Sequence, residues 1–489
     1  MRSNAVSRFG DYPRLIGAIA LAILLYGLAT LAGWTIPPTI VAAHAGPASV
    51  ESAPPVWAVF PFVLLLGAIA ILPLWQHSSH WWESNRNKLV VAMAAALLTL
   101  VYFVMLHPSG GWEFTFQTLE HVVANDYIPF MVLLFSLFTI CGGIRISGDL
   151  PAHPLTNSIF IAVGGLLASL IGTTGAAMLL VRVLIETNSQ RRHQAHTIVF
   201  FIIVACNCGG LLLPIGDPPL FLGYLKGVDF LWTLNLWRSW LFINGVVLGC
   251  YYLLDHFVFY RRERPADIVR DETAVRRLTF EGVWPNALWL LGVVLAVALL
   301  DPSKPIPGTS WRPWLYLREA VQLALVALSL VFGRQDARRG NRFGFAPILE
   351  VAALFIGIFV AMQPALQLLD ARGGSLGVDT PARFFWFSGW LSAVLDNAPT
   401  YLVFFETARI VSAGQADLVG GVAHDLLVGI SLGSVTMGAM TYIGNGPNFM
   451  VKTIAEQSGI RMPSFFGYLG YSVAVLLPVL VLHNWLFLP

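Results

Sequence analysis

The stretch Ile215-Gly216-Asp217-Pro218-Pro219-Leu220-Phe221 returns near the end of the chain as Ile443-Gly444-Asn445-Gly446-Pro447-Asn448-Phe449, sharing its Ile, its first Gly, its second Pro and its Phe. Each copy sets helix breakers and a polar side chain inside an apolar run. In a lipid core an unpaired backbone group costs several kcal/mol, so such a break is tolerated only where it is buried in protein or lines a cavity. Paired broken helices in two halves of a chain point to a transporter's binding site.

Composition agrees. Of 489 residues, 56% are hydrophobic and 11% charged, with a mean hydropathy of +0.70, against about 25% charged for an ordinary soluble domain. The chain reads as an all-α polytopic membrane protein in contact with the lipid bilayer. Its net charge of +2 singles out no nucleic-acid or acidic partner. The cysteines Cys141, Cys206, Cys208 and Cys250 lie in or beside apolar runs, fit small buried residues and have no spacing that suits a transition metal.

Eleven apolar runs near residues 15–36, 56–75, 89–107, 127–144, 197–225, 231–259, 284–300, 314–333, 347–369, 425–454 and 465–487 are long enough to span. Two further runs, 157–187 and 384–410, are interrupted at their centres by Gly172-Thr173-Thr174-Gly175 and by Asp396-Asn397-Ala398-Pro399. They read as re-entrant helical hairpins. With the N-terminus cytoplasmic and both hairpins re-entrant, the Arg261–Arg277 and Arg334–Arg342 loops fall on the cytoplasmic side, while loops 37–55 and 108–126, which lack Lys and Arg, fall outside. That is the expected bias. Treating one hairpin as a single span would invert it.

The chain therefore divides into an N-terminal helix and outer loop (1–55), a first half (56–260), a cytoplasmic linker (261–283) and a second half (284–489). The halves form an inverted repeat. Residues 1–45 also carry features of a signal segment, with Arg2, Arg8 and Arg14 before the apolar run and Ala43-His44-Ala45 after it; the length of the run favours a transmembrane helix.

The polar residues at the breaks are the candidate ion or substrate ligands: Thr173 and Thr174 at one tip, Asp396 and Asn397 at the other, Asn207 and Asp217 in the first broken helix, and Thr441, Asn445 and Asn448 in the second. Gly172, Gly175, Gly209, Gly210, Gly216, Pro218, Pro219, Pro399, Gly444, Gly446 and Pro447 are the expected hinges. Each site residue has a plainer reading. Thr173 and Thr174 can cap a hairpin arm, and Asp217 and Asp396 each precede a helix start and can be simple N-caps. A carboxylate within the bilayer is nevertheless costly and usually functional. Arg182 with Glu186 and Glu406 with Arg409 have helix-pair spacing, and the Trp81-Trp82, Trp237-Trp240 and Trp311-Trp314 pairs read as interfacial belts. The sequence has neither a phosphate-binding Gly-x-x-x-x-Gly-Lys loop nor a well-placed hydrolase motif, so an enzyme is not expected.

The segments S-L-I-G-T-T-G-A-A-M-L-L-V-R, C-N-C-G-G-L-L-L-P-I-G-D-P-P-L-F and S-A-V-L-D-N-A-P-T resemble the ion transporter superfamily. Within it they most resemble the D-type bacterial sodium/proton antiporters and the citrate-transporter-like proteins. The resemblance implies a homodimer in a bacterial inner membrane, whose transport domain carries both hairpins past a scaffold as an elevator. It makes Thr173, Thr174, Asn207, Asp217, Asp396, Asn397 and Asn445 the ion site. Carboxylate carriers of the superfamily typically have Ser-Asn-Thr at both tips; here Thr-Thr and Asp-Asn stand instead. Two nearby carboxylates suit Na⁺ and H⁺ as transported coupling ions, with no other cofactor, and the expectation is sodium/proton antiport. The alternative is cation-coupled citrate or dicarboxylate symport.

Overall fold

Gly172 turns the first hairpin. It takes φ +81° and ψ 150° between Pro154–Ile171 and Thr173–Thr187, a conformation open to a residue without Cβ. The second hairpin turns without glycine. Leu395 (φ −109°, ψ 171°) and Asp396 (φ −62°, ψ 140°) are extended between Pro381–Val394 and Asn397–Val411, and Pro399 sits in a first helical turn, where a missing N–H costs nothing. The computed structural model describes residues 12–36, 53–73, 75, 77–108, 110–273, 275–372, 377–415 and 417–488. Residues 1–11 and 37–52, with Arg2, Arg8 and the Ala43-His44-Ala45 segment, lie outside them.

Among the described residues, eight helices are long and apolar enough to cross a membrane, and the strands form only two short antiparallel pairs. The chain is an all-α polytopic membrane protein. Each expected apolar run contains helix. Large apolar side chains such as Leu24, Leu98, Ile159, Leu241 and Leu291 are left exposed on the outer helices, which in this setting face lipid.

The helices pack in two groups. In the first, Asn85–Met105 lies against Ala346–Ala361 and Phe60–Ile71, while Leu317–Phe332 lies against Tyr12–Leu31, Val283–Leu299 and Ile128–Cys141. Phe130 stacks on Phe355 at 5.0 Å to join them. The second group contains both hairpins, both broken helices, and the helices Trp232–Arg262 and Phe465–Phe487. At its centre, Ala195–Ala205 is buried at every position but the first. The strand Arg145–Ser147, leaving the first group, pairs with Thr279–Glu281 at the end of the arginine-rich linker, Arg145 opposite Glu281.

Four expectations change. The outer loop expected at 108–126 is mostly helix, because Trp112–Cys141 runs without interruption for 30 residues. Its polar first turns, where Thr115 and Thr118 bond back to the carbonyls of Gly111 and Phe114, conceal that continuity. Glu186 pairs with Arg276 of the linker at 3.3 Å instead of Arg182, whereas Glu406 and Arg409 do pair, at 2.9 Å. Trp82 is buried, and Trp240 turns inward.

Candidate functional site

Asp217 and Asn445 occupy equivalent backbone positions. Asp217 has φ −141° and ψ 144° before the helix Pro218–Leu225; Asn445 has φ −153° and ψ 138° before Gly446–Gln457. Upstream of each, the main helix ends, a short 3-10 turn follows (Cys208–Leu212 and Gly438–Met440), and the chain then extends. The loops are tight. A Cβ on Gly216 would lie 2.2 Å from the Gly210 carbonyl oxygen, and one on Gly444 would lie 2.6 Å from that of Gly438. The hinge glycines at these positions are therefore fixed by close backbone approach.

The freed carbonyls are met by neighbouring helices. Thr233 donates to Leu212 O at 2.9 Å, Trp240 to Gly209 O at 3.0 Å and Asn244 to Cys208 O at 3.1 Å. In the second half, Tyr468 donates to Ala439 O at 2.9 Å. The hairpins contribute alike: Ser169 Oγ donates to Gly209 O and Ser392 Oγ to Ser434 O, each at 2.6 Å. Apart from Trp240, read from sequence as an interfacial belt residue, these supports were not singled out from sequence. Thr233, Trp240 and Asn244 share one helix face at i, i+7 and i+11, a spacing that could have revealed them.

Both tips reach Asp217. The Thr173 backbone N–H donates to Gly216 O at 2.8 Å and its hydroxyl to Asp217 Oδ1 at 2.9 Å. From the other tip, Asn397 Nδ2 donates to Asp217 Oδ2 at 2.6 Å. Asn445 Nδ2 donates to Asp217 Oδ1 at 3.1 Å and to Asn207 Oδ1 at 3.2 Å. Asn207 in turn donates to Asn448 Oδ1 at 2.8 Å. Asn448 bonds the carbonyls of Gly438 and Thr441, and Thr441 Oγ1 donates to Ala393 O at 2.6 Å. Asp217, at the N-cap position, makes no side-chain capping bond; its carboxylate is committed to the network.

Seven of the nine predicted ligands thus form one buried array: Thr173, Asn207, Asp217, Asn397, Thr441, Asn445 and Asn448, each at most 4% exposed. Asp396 and Thr174 stand apart. Asp396 is half-buried and caps the second arm by accepting from Ala398 N at 3.1 Å, within electrostatic reach of Asp217. Thr174 is half-buried on the first tip.

Every hydrogen bond to the Asp217 carboxylate comes from a neutral group. A buried carboxylate without a cationic partner is costly. Beside it, the Asn397 Oδ1 acceptor is buried with no donor. An uncompensated negative charge next to an unused carbonyl oxygen is a donor set of the kind that takes a proton or a hard monovalent cation.

Two hairpins and two interrupted helices that close on one buried polar site are the architecture of a membrane carrier. The chain belongs to the family described as "Putative citrate transport", which matches residues 51–488. No curated protein matches it.

Proposed function

We propose that this protein is a secondary carrier that moves citrate or a related carboxylate, coupled to a cation bound at Asp217. The observation that carries the coupling is the Asp217 carboxylate, held by neutral donors beside the unpaired Asn397 Oδ1; the family's description supports the substrate. Na⁺ or H⁺ neutralises Asp217, and the carboxylate substrate then binds beside the N-termini of Pro218–Leu225 and Gly446–Gln457, whose helix dipoles favour an anion even though their leading prolines offer no N–H. The second helix group moves as an elevator against the first. Both hairpins belong to that group, so it can carry the site as one body.

The orientation that we propose has the N-terminus and the arginine-rich linker in the cytoplasm of a bacterial inner membrane, in accord with the charge bias. The resemblance to the superfamily supports a homodimer.

A second reading, sodium/proton antiport, is favoured by one feature. Among the described residues no Lys or Arg joins the network to grip a carboxylate substrate. One experiment separates the two. Proteoliposomes are given an inward Na⁺ or H⁺ gradient, and labelled citrate and internal pH are followed together. Citrate accumulation that requires the gradient supports symport; Na⁺-driven proton movement without citrate uptake replaces it with antiport; neither response rejects both.

A further inference from the structure

The arginine-rich end of the second helix group has a cleft of about 450 Å³ that lies apart from the Asp217 site. Its lining includes Arg192, His193 and His196 from one segment and Arg461 from another, together with Ser189 and Tyr471. Among the described residues no acidic side chain lines the cleft. His193 is held by Glu263, its Nδ1 at 3.1 Å from Oε1, and His196 by Asp255 at 2.9 Å. The Arg192 and Arg461 side chains are exposed, and among the described residues neither pairs with a carboxylate. Several other cations of the protein meet a carboxylate: Arg191 with Asp255, Lys226 with Asp126, and Arg318 with Glu319. Here Arg192 and Arg461 both line a concave space, and the nearby Glu263 carboxylate is bonded to the Arg192 and His193 backbone N–H groups rather than to either guanidinium.

We propose that this cleft binds a multiply charged oxyanion. Guanidinium groups present forked donors that match carboxylate and phosphate oxygens. Ala195 and His196, at the start of Ala195–Ala205, line the same space, and a helix N-terminus adds to that preference. At 1.5 Å per residue, His196 lies about 16 Å along its helix from Asn207, and Ser458 about 15 Å beyond Asn448. The cleft and the Asp217 site thus stand at opposite ends of the same two packed segments. An anion bound in the cleft moves with that group and is distinct from cargo at the Asp217 site. The chemistry suits a soluble polycarboxylate and an anionic lipid headgroup alike, and the assignment holds whichever ion couples transport.

The test uses full-length protein in nanodiscs of phosphatidylcholine, carrying Asp217→Asn to disable the transport site. Citrate and inorganic phosphate are titrated calorimetrically, before and after phosphatidylglycerol is added to the discs. Binding that weakens at least tenfold in the further R192Q/R461Q variant, and returns in R192K/R461K, establishes the site for a soluble anion. If soluble anions bind only weakly in either disc, but phosphatidylglycerol copurifies with the parent protein and is lost from R192Q/R461Q, the occupant is a lipid headgroup. Equal binding of all anions by the parent and R192Q/R461Q proteins, or no binding and no lipid retained by either, overturns the proposal; a matching size-exclusion profile establishes that both are folded.

Discussion

Asn445 donates to Asp217 across 228 positions of sequence, Nδ2 to Oδ1 at 3.1 Å. The two residues hold the same place in two similar segments, each extended just ahead of a short helix, so the equivalent positions of the two broken helices touch. The asymmetry between them, a carboxylate facing an amide, leaves one negative charge at the middle of an array of otherwise neutral oxygen and nitrogen groups.

That charge is expected to be indispensable. Asp217→Asn is isosteric and keeps the Oδ1 acceptor for both Thr173 and Asn445, while it replaces the Oδ2 that accepts from Asn397 and removes the charge that a cation or proton would neutralise. Gradient-driven uptake in proteoliposomes is expected to fall to background while expression and size-exclusion behaviour are retained. Asn397→Ala, by contrast, strips one donor from a buried carboxylate and is expected to lower stability by about 1–3 kcal/mol, read from thermal unfolding in detergent.

Asp396 allows capping and charge to be separated. Its carboxylate accepts from the Ala398 N–H, a bond that asparagine reproduces and alanine does not. Asp396→Ala is expected to cost about 1 kcal/mol in stability and Asp396→Asn almost nothing. If the charge also serves transport, both variants lose uptake. Full uptake by Asp396→Asn would leave Asp396 a structural cap.

Much of this was legible in the sequence because membrane burial limits the choices. A Gly-Asp-Pro-Pro break in an apolar run has few structural solutions, and its near-copy at residues 443–449 supplies Asn445 and Asn448 to the same buried array. What stayed hidden were partners set by tertiary packing. Nothing local to Trp240 distinguishes an interfacial belt residue from one that donates to Gly209 O. Glu186 has a suitably spaced Arg182, yet meets Arg276 from the linker. The start of the helix at Trp112 was obscured because polar side chains that bond back to their own helix look like loop residues in a hydropathy profile.

Two glycines expected to act as hinges should behave differently when replaced by alanine. At Gly216 a Cβ would sit 2.2 Å from the Gly210 oxygen, backbone against backbone, whereas at Gly446 nothing lies within 4 Å. Gly216→Ala is expected to abolish folded protein. Gly446→Ala, at the first residue of a helix, is expected to retain uptake and gain up to about 1 kcal/mol. Yield after size exclusion, followed by thermal unfolding, checks both.

Glu263, just beyond the end of the Trp232–Arg262 helix, gives a pH signature. Burial pushes its carboxyl up, but hydrogen bonds from the backbone N–H groups of Arg192 and His193, the His193 ring and the nearby Arg191 charge outweigh this and hold it below its ordinary value. A depressed carboxyl adds stability above its unfolded pKa, about 4.3, and that contribution is lost as pH falls through the folded value. The stability difference between wild type and Glu263→Gln is therefore expected to be full at neutral pH and to vanish in strongly acidic buffer. A difference unchanged with pH would mean that the carboxylate form contributes nothing.

The proposed orientation is open to a direct check at two exposed carboxylates, Asp336 beside the arginine-rich loop and Asp379 ahead of the second hairpin, whose side chains are 77% and 60% accessible. The second hairpin follows one helical passage after Asp336, so the two positions lie on opposite sides of the membrane if Ala346–Ala371 spans it. Cys141, Cys206 and Cys208 are buried and Cys250 is half-buried, which keeps background labelling low. In intact cells an impermeant maleimide is expected to modify Asp379→Cys at once and Asp336→Cys only after permeabilisation. The reverse pattern would invert the orientation; labelling of both in intact cells would place them on one side and remove the span between them.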